Sequence, residues 1–287
     1  MKSRIRGTTR LTGLIGYPVG HSISPIMHNT AFEYLGLDYA YLAFEIKKDD
    51  LKSGIEAMKT LGVAGFNVTM PLKESILPLL DDVSREVELI GSVNTVMLDD
   101  GRLIGYNTDG KGYIRSLEDE NILVPGKRIL IAGAGGAARS IAVQLALEGV
   151  DEIIIANRTL DKGEEICQII NKNIPSCKSK TIGYDEDGLK LVIKNTDIFI
   201  NCTSLGMSPN EDKSIIDNPI LLHSDLIVSD IIYHPRKTKL LKMAESMGCK
   251  TINGIGMIIH QGALAFKIWT GHDMPIDYIK RTLLFNE

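Results

Sequence analysis

The stretch RILIAGAGGAARSIA, residues 128–142, places a glycine-rich turn between an apolar run and an alanine-rich amphipathic segment. This order predicts a buried strand, a tight turn and the start of a helix. The spacing Gly133-x-Gly135-x-x-Ala138 fits the dinucleotide fingerprint: the first glycine permits the turn, the second leaves room for a pyrophosphate, and the alanine permits close packing. Free N–H groups at the helix start would face that pyrophosphate. Many glycine turns only connect a strand to a helix. The residues that follow must therefore show whether this turn binds a dinucleotide.

The next apolar run, residues 152–158, predicts a second parallel strand. An acidic residue at the end of this strand would hydrogen-bond the ribose 2′-hydroxyl of NAD. The chain has Asn157, Arg158 and Thr159 there instead, and an arginine fork can pair with the 2′-phosphate of NADP. The alternative is that Arg158 is an ordinary solvated arginine at a strand end. The sequence favours NADP and leaves NAD possible.

The chain has 287 residues, of which 44% are hydrophobic, and a formal net charge of −4. This length predicts about two domains. The charge and the lack of basic clusters argue against nucleic-acid or membrane partners, so small molecules are expected. With no apolar leader or membrane-length run, the expected location is cytoplasmic. The cysteines lack metal-ligand spacing, so no metal site is expected and all four are interpreted as reduced: Cys167, Cys177, Cys202 and Cys249.

Short β-rich runs alternate with helical segments along the chain, which predicts an α/β fold throughout. A Pro-Gly pair at residues 125–126 marks a break before the glycine-turn strand. From residue 127 to about residue 250, the order strand, helix, strand, helix is typical of a Rossmann-type doubly wound dinucleotide domain. Residues 254–271 and 276–285 predict two C-terminal helices that could pack on the N-terminal half.

The N-terminal half is predicted to begin with a strand at residues 11–16. Ser24 and Pro25 then suit an N-cap and the first helical position, and Gly36 suits the end of that helix. The next helix is predicted from apolar residues at helical spacing, Leu51, Ile55, Met58 and Leu61.

Polar residues stand next to the predicted strands of this half. HSIS follows the first strand, Asn67 and Thr69 lie in NVTMPLK, Asn94 lies in SVNT, and Asp109 lies in NTDG. Ligands of open α/β sheets bind outside the carboxyl ends of strands, where these residues are expected. Each of them alone also suits a turn or a cap. Four such segments in succession favour a binding site.

These segments belong to a longer series of motifs along the chain: IGYPVGHSISP, NVTMPLK, SVNT, GYNTDG, GAGGAAR, NRT, NCTSLGM, DIIYHP and INGIGMIIHQGALAF. With this series the chain resembles the shikimate/quinate dehydrogenase family over nearly its whole length. The resemblance implies reversible reduction of 3-dehydroshikimate to shikimate with NADPH, in the pathway to aromatic amino acids. It also implies a discontinuous substrate domain, residues 1–112 with 254–287, around an NADP-binding Rossmann domain at residues 113–253.

The resemblance implies that Lys73 of NVTMPLK and Asp109 of NTDG are the catalytic pair. Hydride arriving at a ketone carbon leaves negative charge on oxygen, so an acid must supply a proton and a base must remove one in the reverse direction. Asp109 is expected to orient Lys73 and to offset the cost of its burial. Without the resemblance, Lys73 would be interpreted as a solvated lysine at a helix start.

The resemblance further implies that Ser22 and Ser24 donate to the substrate carboxylate. Residues that bind or support the ring hydroxyls would be Asn67, Thr69, Asn94, Gln261, Tyr41 and Tyr233. Residues at the cofactor would be Gly133, Ala134, Gly135, Gly136, Ala137, Asn157, Arg158, Thr159, Lys162, Thr203, Met207, Ile231, Gly254 and Met257. By contrast, His28 has a helical setting and is interpreted as structural.

One departure from the family pattern softens the NADP preference. Members strict for NADP often carry a second arginine after NRT, whereas this chain has Lys162, a point charge without a bidentate fork. The segments YLAFEI, GYNTDGKGYIRS and GCKTINGIGM also resemble the branch of the family that oxidises quinate and accepts NAD, so dual activity on quinate and shikimate with NAD as well as NADP stays open. A non-catalytic dinucleotide-sensing protein would not need Lys73 and Asp109, and a folate-type dehydrogenase would not need HSIS with NTDG, so both functions are disfavoured. The oligomeric state is left as monomer or homodimer.

Overall fold

The computed structural model describes residues 5–184 and 186–285 and confirms the α/β prediction. The chain forms two compact units. The first unit contains Met1–Thr108 and Ile259–Glu287, and the second contains Asp109–Ile258. In the described part of the chain, no helix combines the length and apolar character needed to cross a membrane.

The strands of the first unit are β1 (Arg10–Gly16), β2 (Tyr39–Glu45), β3 (Gly65–Val68), β4 (Asp82–Val83), β5 (Thr95–Asp99) and β6 (Arg102–Tyr106). Those of the second are β7 (Arg128–Ala132), β8 (Glu152–Ala156), β9 (Lys178–Ile182), β10 (Ile198–Asn201), β11 (Ile227–Asp230) and β12 (Lys250–Ile252). The helices are α1 (Ser24–Leu35), α2 (Leu51–Thr60), α3 (Arg85–Ile90), α4 (Asp109–Glu118), α5 (Gly136–Leu147), α6 (Leu160–Asn173), α7 (Glu186–Ile193), α8 (Lys239–Ser246), α9 (Ile255–Thr270) and α10 (Ile276–Phe285).

The sheet of the first unit has the strand order β2-β1-β3-β5-β6-β4. β1 is parallel to β2 and β3, whereas β5 is antiparallel to both β3 and β6. The start of β5 and the end of β6 therefore lie at the same sheet edge as the ends of β1 and β3. This polar edge of the first unit receives HSIS, NVTMPLK, SVNT and the first two residues of NTDG, Asn107 and Thr108. The buried core against α2 includes Ile15, Phe66, Val68, Val96 and Leu103.

Two local predictions for the first unit were wrong. Ser24 is the first residue of α1 and not its N-cap; Ile23 takes that position, and the Ser24 N–H donates to Ser22 Oγ at 3.2 Å. Gly36 ends this helix as predicted, with a left-handed φ of 65°. Leu61 was predicted to lie in α2 on the same face as Leu51, Ile55 and Met58, but the helix ends at Thr60 and Leu61 is 66% exposed.

The sheet of the second unit has six strands, all parallel, in the order β12-β11-β10-β7-β8-β9. The doubly wound prediction is therefore confirmed. The chain builds outward from β7 in one direction and from β10 in the other, so the switch point lies between these two strands. Its core is formed by aliphatic and aromatic side chains, among them Leu130, Ile154, Phe199 and Val228. The glycine turn follows β7 and thus stands at the switch point.

Candidate functional site

The polar edge of the first unit is organised around Asn94, which precedes β5 and is 2% exposed. Its Oδ1 accepts from the backbone N–H of Thr108 at 2.8 Å and from Thr95 Oγ1 at 3.0 Å. Its Nδ2 donates to Thr108 Oγ1 at 2.9 Å and to Gln261 Oε1 at 3.4 Å. Asn94 therefore ties the start of β5 to the segment after β6 and to α9.

Asn67, near the end of β3, forms the second part of this network. Its Nδ2 donates to the backbone carbonyl of Asn94 at 3.1 Å and to Thr95 Oγ1 at 3.0 Å. Its Oδ1 accepts from the hydroxyl of Tyr41 at 2.8 Å. Tyr41 on β2 is fully buried, so its hydroxyl supports Asn67 from within the core.

Ser22, Ser24, Thr69 and Lys73 border this network. Ser24 is buried and its hydroxyl bonds to that of Tyr41. Thr69 donates its backbone N–H to Ile15 O at 2.9 Å, and its methyl group packs where Gly16 has no side chain. Lys73 is half-buried, and its backbone carbonyl accepts from Val93, the residue before Asn94, at 2.9 Å.

Two predicted residues of the reaction site belong to the second unit. Asp109 is the first residue of α4, is 6% exposed, and directly follows Thr108 in the chain. Tyr233 lies after β11, is half-buried, and has its pKa raised by that burial. The structure thus brings together, within the first unit, Ser22, Ser24, Tyr41, Asn67, Asn94 and Gln261, with Thr69 and Lys73 on adjoining backbone.

The glycine turn of the second unit fits a dinucleotide pyrophosphate. Gly133 has a left-handed φ of 102°, and a Cβ there would lie 3.0 Å from the carbonyl oxygen of Cys202. A Cβ at Gly135 would meet nothing within 4 Å, which leaves open space at the turn. The first turn of α5 has no acidic residue and no side-chain cap, so its N–H groups can receive an anion. The small residues Ala134, Gly136 and Ala137 complete the turn.

At the end of β8, Asn157 shapes the segment predicted to meet the ribose phosphate. Its Nδ2 donates to the backbone carbonyl of Thr159 at 2.7 Å. Arg158, Thr159 and Lys162 are exposed. Asn157 is therefore committed to the turn, while the arginine and lysine are accessible to a phosphate.

Tyr184 stands near this segment but was not predicted from the sequence. Burial raises its pKa to about 12, and this rise is opposed by a hydrogen bond from the backbone of Gly133 and by the charge of Arg158. Tyr184 follows β9, whose sequence KSKTI is too polar to indicate a strand without its partner β8. The signal that could have identified Tyr184 is its position at the end of a strand. This signal becomes visible only when β9 is known to be a strand.

A third polar cluster lies at the ends of β10 and β11. The buried Asp230 carboxylate accepts from Asn201 Nδ2 at 3.1 Å, from the N–H of Ile232 at 3.1 Å and from Thr238 Oγ1 at 2.8 Å. Burial raises the pKa of Asp230, although these three bonds oppose that rise. Asn201 Oδ1 in turn accepts from Thr203 Oγ1 at 2.7 Å. Asp230 thus anchors the loops that carry Thr203, Met207 and Ile231.

Gly254 permits a close approach beside this cluster. A Cβ at this position would overlap the backbone of Ile231, so only glycine fits. Its N–H donates to Ile232 O at 3.0 Å, and Met257 is buried one turn into α9. Among the described residues, no group of three or more His, Cys, Asp or Glu side chains is arranged to hold a metal ion.

A doubly wound parallel sheet with a glycine turn at its switch point, joined in one chain to a second α/β unit with a polar sheet edge, defines a dinucleotide-binding α/β protein. Family models refine this class. The shikimate dehydrogenase substrate binding domain matches residues 14–96, shikimate/quinate 5-dehydrogenase matches 118–218, and the shikimate 5′-dehydrogenase C-terminal domain matches 254–284. The chain belongs to the shikimate dehydrogenase family, and the resemblance seen in the sequence is confirmed.

Individual relatives agree with this assignment. A shikimate dehydrogenase (NADP(+)) of Alkaliphilus metalliredigens is 64% identical, with 99% of each chain covered. The structure of shikimate 5-dehydrogenase from Listeria monocytogenes, in complex with shikimate and NAD, is 46% identical, covers 99% of each chain and has a TM-score of 0.94. A shikimate dehydrogenase in complex with NADP+ is 45% identical, covers 98% of this chain and 96% of its own, and has a TM-score of 0.91.

Proposed function

We propose that this chain catalyses the reversible, NADP-dependent reduction of 3-dehydroshikimate to shikimate, in the route to aromatic amino acids. The observation that carries the proposal is the neutral network of amides and hydroxyls around Asn67 and Asn94, next to Lys73 in sequence and backbone contact. Such a network suits a polyhydroxylated substrate. The relative that is 64% identical over nearly the whole chain is a shikimate dehydrogenase (NADP(+)), which agrees with this function.

The substrate is assigned to residues 1–112 with 254–287, and the cofactor to residues 113–253. Ser22 donates to the substrate carboxylate, and Ser24 does so by exchanging the hydrogen bond that its hydroxyl donates to Tyr41. Hydroxyl donors suit that role because they bind an anion without adding a charge. Ring hydroxyls are bound or supported by Asn67, Thr69, Asn94, Gln261, Tyr41 and Tyr233.

Lys73 holds a proton at Nζ and transfers it to the carbonyl oxygen of the substrate as negative charge develops there. In the reverse direction Lys73 removes the proton from the hydroxyl. Asp109 orients Lys73 and stabilises its charged form. Asn94 fixes Thr108, the residue before Asp109, by accepting from its backbone N–H.

When bound, NADPH supplies the hydride. The glycine turn and the start of α5 receive its pyrophosphate, and Arg158 pairs with the 2′-phosphate that distinguishes NADP from NAD. Asn157 and Thr159 shape this segment, and Lys162 adds a positive charge. Thr203, Met207, Ile231, Gly254 and Met257 contact the nicotinamide half.

A second candidate function is a dual enzyme that also oxidises quinate and accepts NAD. The observation that favours its use of NAD is Lys162, which is exposed and offers the 2′-phosphate only a point charge. The resemblance of the segments YLAFEI, GYNTDGKGYIRS and GCKTINGIGM to the quinate-oxidising branch of the family supports quinate as a substrate. In either case the proposed protein is a cytoplasmic enzyme with small-molecule partners, and it is a monomer or a homodimer, which analytical ultracentrifugation distinguishes.

The test is an absorbance assay at the NADPH band with purified protein, using shikimate and quinate, each with NADP and with NAD. The primary proposal predicts the highest kcat/KM for shikimate with NADP. Comparable values for quinate with NAD would support the dual enzyme. A protein that folds but turns over none of the four pairs would overturn both candidate functions.

A further inference from the structure

The side-chain amide of Asn67 has a single possible orientation. One of its neighbours is the backbone carbonyl of Asn94, which can only accept, so Nδ2 must face that carbonyl at 3.1 Å. The second hydrogen of Nδ2 is donated to Thr95 Oγ1 at 3.0 Å. Both donor positions of the amide are therefore used inside the protein.

Tyr41 completes this arrangement from the opposite side. Its hydroxyl donates to Asn67 Oδ1 at 2.8 Å. Burial raises the pKa of the Tyr41 hydroxyl well above its usual range, and the hydrogen bond with Ser24 offsets this only in part. The hydroxyl therefore remains a donor, and these bonds leave one lone pair of Oδ1 as the remaining hydrogen-bonding position of the amide.

His28 of α1 holds the ring of Tyr41 in place. The two rings stack with centroids 4.4 Å apart and planes 4° apart. Trp269 packs against both rings, with its centroid 5.4 Å from that of His28 and 6.0 Å from that of Tyr41. The imidazole also faces α9 at Gly262, where a Cβ would lie 3.5 Å from Nε2. Because the stack is fully buried, Tyr41 cannot swing its hydroxyl away from Asn67 without opening the core.

We propose that Tyr41 is a positioning residue that acts through Asn67 and restricts this amide to accepting one hydrogen bond from a substrate hydroxyl. The inference rests on the proposed function. A group that only accepts cannot bind a ketone oxygen, which also only accepts. Because the reacting carbon alternates between alcohol and ketone, Asn67 recognises a hydroxyl that stays a hydroxyl throughout the reaction. It thereby selects for one non-reacting hydroxyl of the ring.

The experiment compares the wild-type protein with Tyr41→Phe, which keeps the ring and its stack and removes only the hydroxyl. Dissociation constants are measured by calorimetry for shikimate and for its 3-deoxy, 4-deoxy and 5-deoxy analogues. One neutral hydrogen bond corresponds to roughly a 2- to 13-fold change in binding. Tyr41→Phe should weaken shikimate binding by that factor. This weakening should vanish for one analogue, either the 4-deoxy or the 5-deoxy compound. It should persist for the other two analogues.

Further readouts separate positioning from a general effect on the fold. The KM for NADP and the pH profile of kcat should not change, since neither depends on the Asn67 amide. Tyr39→Phe is the matched control, because it removes a hydroxyl from the same strand that bonds instead with Arg10 and the Trp269 carbonyl. This variant should bind all four compounds like the wild type.

A second variant keeps the inference testable if Tyr41→Phe does not fold. Thr95→Val removes the hydroxyl that accepts from Asn67 Nδ2, and it should show selectivity for the same analogue. Equal weakening for all four compounds, or none, would overturn the inference while shikimate turnover by the wild type leaves the proposed function standing. A wild-type protein that neither binds nor turns over shikimate would instead overturn the proposed function and this inference with it.

Discussion

Both units place an asparagine at the polar end of a sheet, but the two clusters use it differently. In the first unit Asn67 and Asn94 bond to neutral groups, namely hydroxyls, backbone groups and the Gln261 amide. In the second unit Asn201 bonds to Asp230, a buried carboxylate that three donors surround.

The difference reflects the chemistry proposed for each edge. The first cluster retains hydrogen-bonding capacity, such as the second lone pair of Asn67 Oδ1, which can bind a hydroxylated substrate. The second cluster saturates its carboxylate, which anchors loops and limits repulsion of an anionic cofactor. A polar cluster at a strand end can therefore bind a ligand when a hydrogen-bonding position is left over inside the protein. It anchors loops when all of its hydrogen-bonding positions are used internally.

The largest expected effect comes from the charged residue next to the neutral cluster. Lys73→Ala should lower kcat with either cofactor by about 100- to 10,000-fold, because a general acid–base group acts in the transition state. Dissociation constants for shikimate and NADP should change far less. Steady-state kinetics together with calorimetry measure both quantities.

Asp109→Asn should behave similarly, and exposed Lys242→Ala, on the other unit, serves as a lysine control. A Lys73→Ala variant that keeps more than about a third of wild-type turnover would contradict an acid–base role, given the usual size of such effects. If Lys73→Ala also raised the KM for NADP as much as it lowered kcat, the edge of the first unit would act in cofactor binding too. The two edges would then not differ in function.

Asp230→Ala tests the anchoring cluster. The variant leaves Asn201, Thr238 and the N–H of Ile232 without their acceptor, which should cost about 3 kcal/mol of unfolding free energy. Urea unfolding followed by fluorescence measures the loss. Asp217→Ala is the matched control, because that carboxylate is 83% exposed and pairs with Lys239 at the surface. Equal stability of the two variants would show that the buried carboxylate does not anchor the loops.

Arg158→Ala should raise the KM for NADP roughly 10- to 150-fold and leave that for NAD nearly unchanged, since only NADP carries the 2′-phosphate. Lys162→Ala should act in the same direction with a smaller size. Arg102→Ala, an exposed arginine of the first unit, should leave both constants unchanged. If Arg158→Ala weakens NAD and NADP alike, the arginine supports the fold or stacks on the adenine.

The last prediction concerns the uncharged His28 in the core of the first unit. Burial lowers the pKa of His28 from 6.5 to about 3, and neither ring nitrogen has a hydrogen-bond partner among the described residues. The unfolded chain binds a proton below pH 6.5 and the folded chain does not, so stability is lost as the pH falls from 6.5 toward 3. Between pH 7 and pH 5 this amounts to about 2 kcal/mol.

His28→Phe keeps the stack with Tyr41 and should reduce the loss of unfolding free energy between these two pH values by that amount. Chemical denaturation at pH 7 and pH 5 measures it, and exposed His272→Gln should retain the wild-type dependence. An unchanged dependence in His28→Phe would mean that the imidazole is charged in the folded protein.

Much of the fold could be predicted because its signals are local. The glycine turn, the strands β7 and β8 and the helices α9 and α10 follow from short-range periodicity and turn chemistry. β9 was not predicted, because its five residues form a strand only by pairing with β8. Ser24 was misplaced as a cap, because Ser22, two residues earlier, satisfies the backbone N–H instead.

For the candidate site, the sequence by itself determined which chemical groups stand at strand ends, since these follow from residue type and the order of the elements. Only the tertiary structure decided how those groups are used. Tyr41 and Asn67 are 26 residues apart, and Asn94 and Gln261 are 167 apart, yet each pair is hydrogen-bonded. Hydrogen bonds depend on distance and direction in space, and strand pairing and burial impose both. The orientation of the Asn67 amide, and with it the atom that faces a ligand, therefore cannot be predicted from neighbours along the chain.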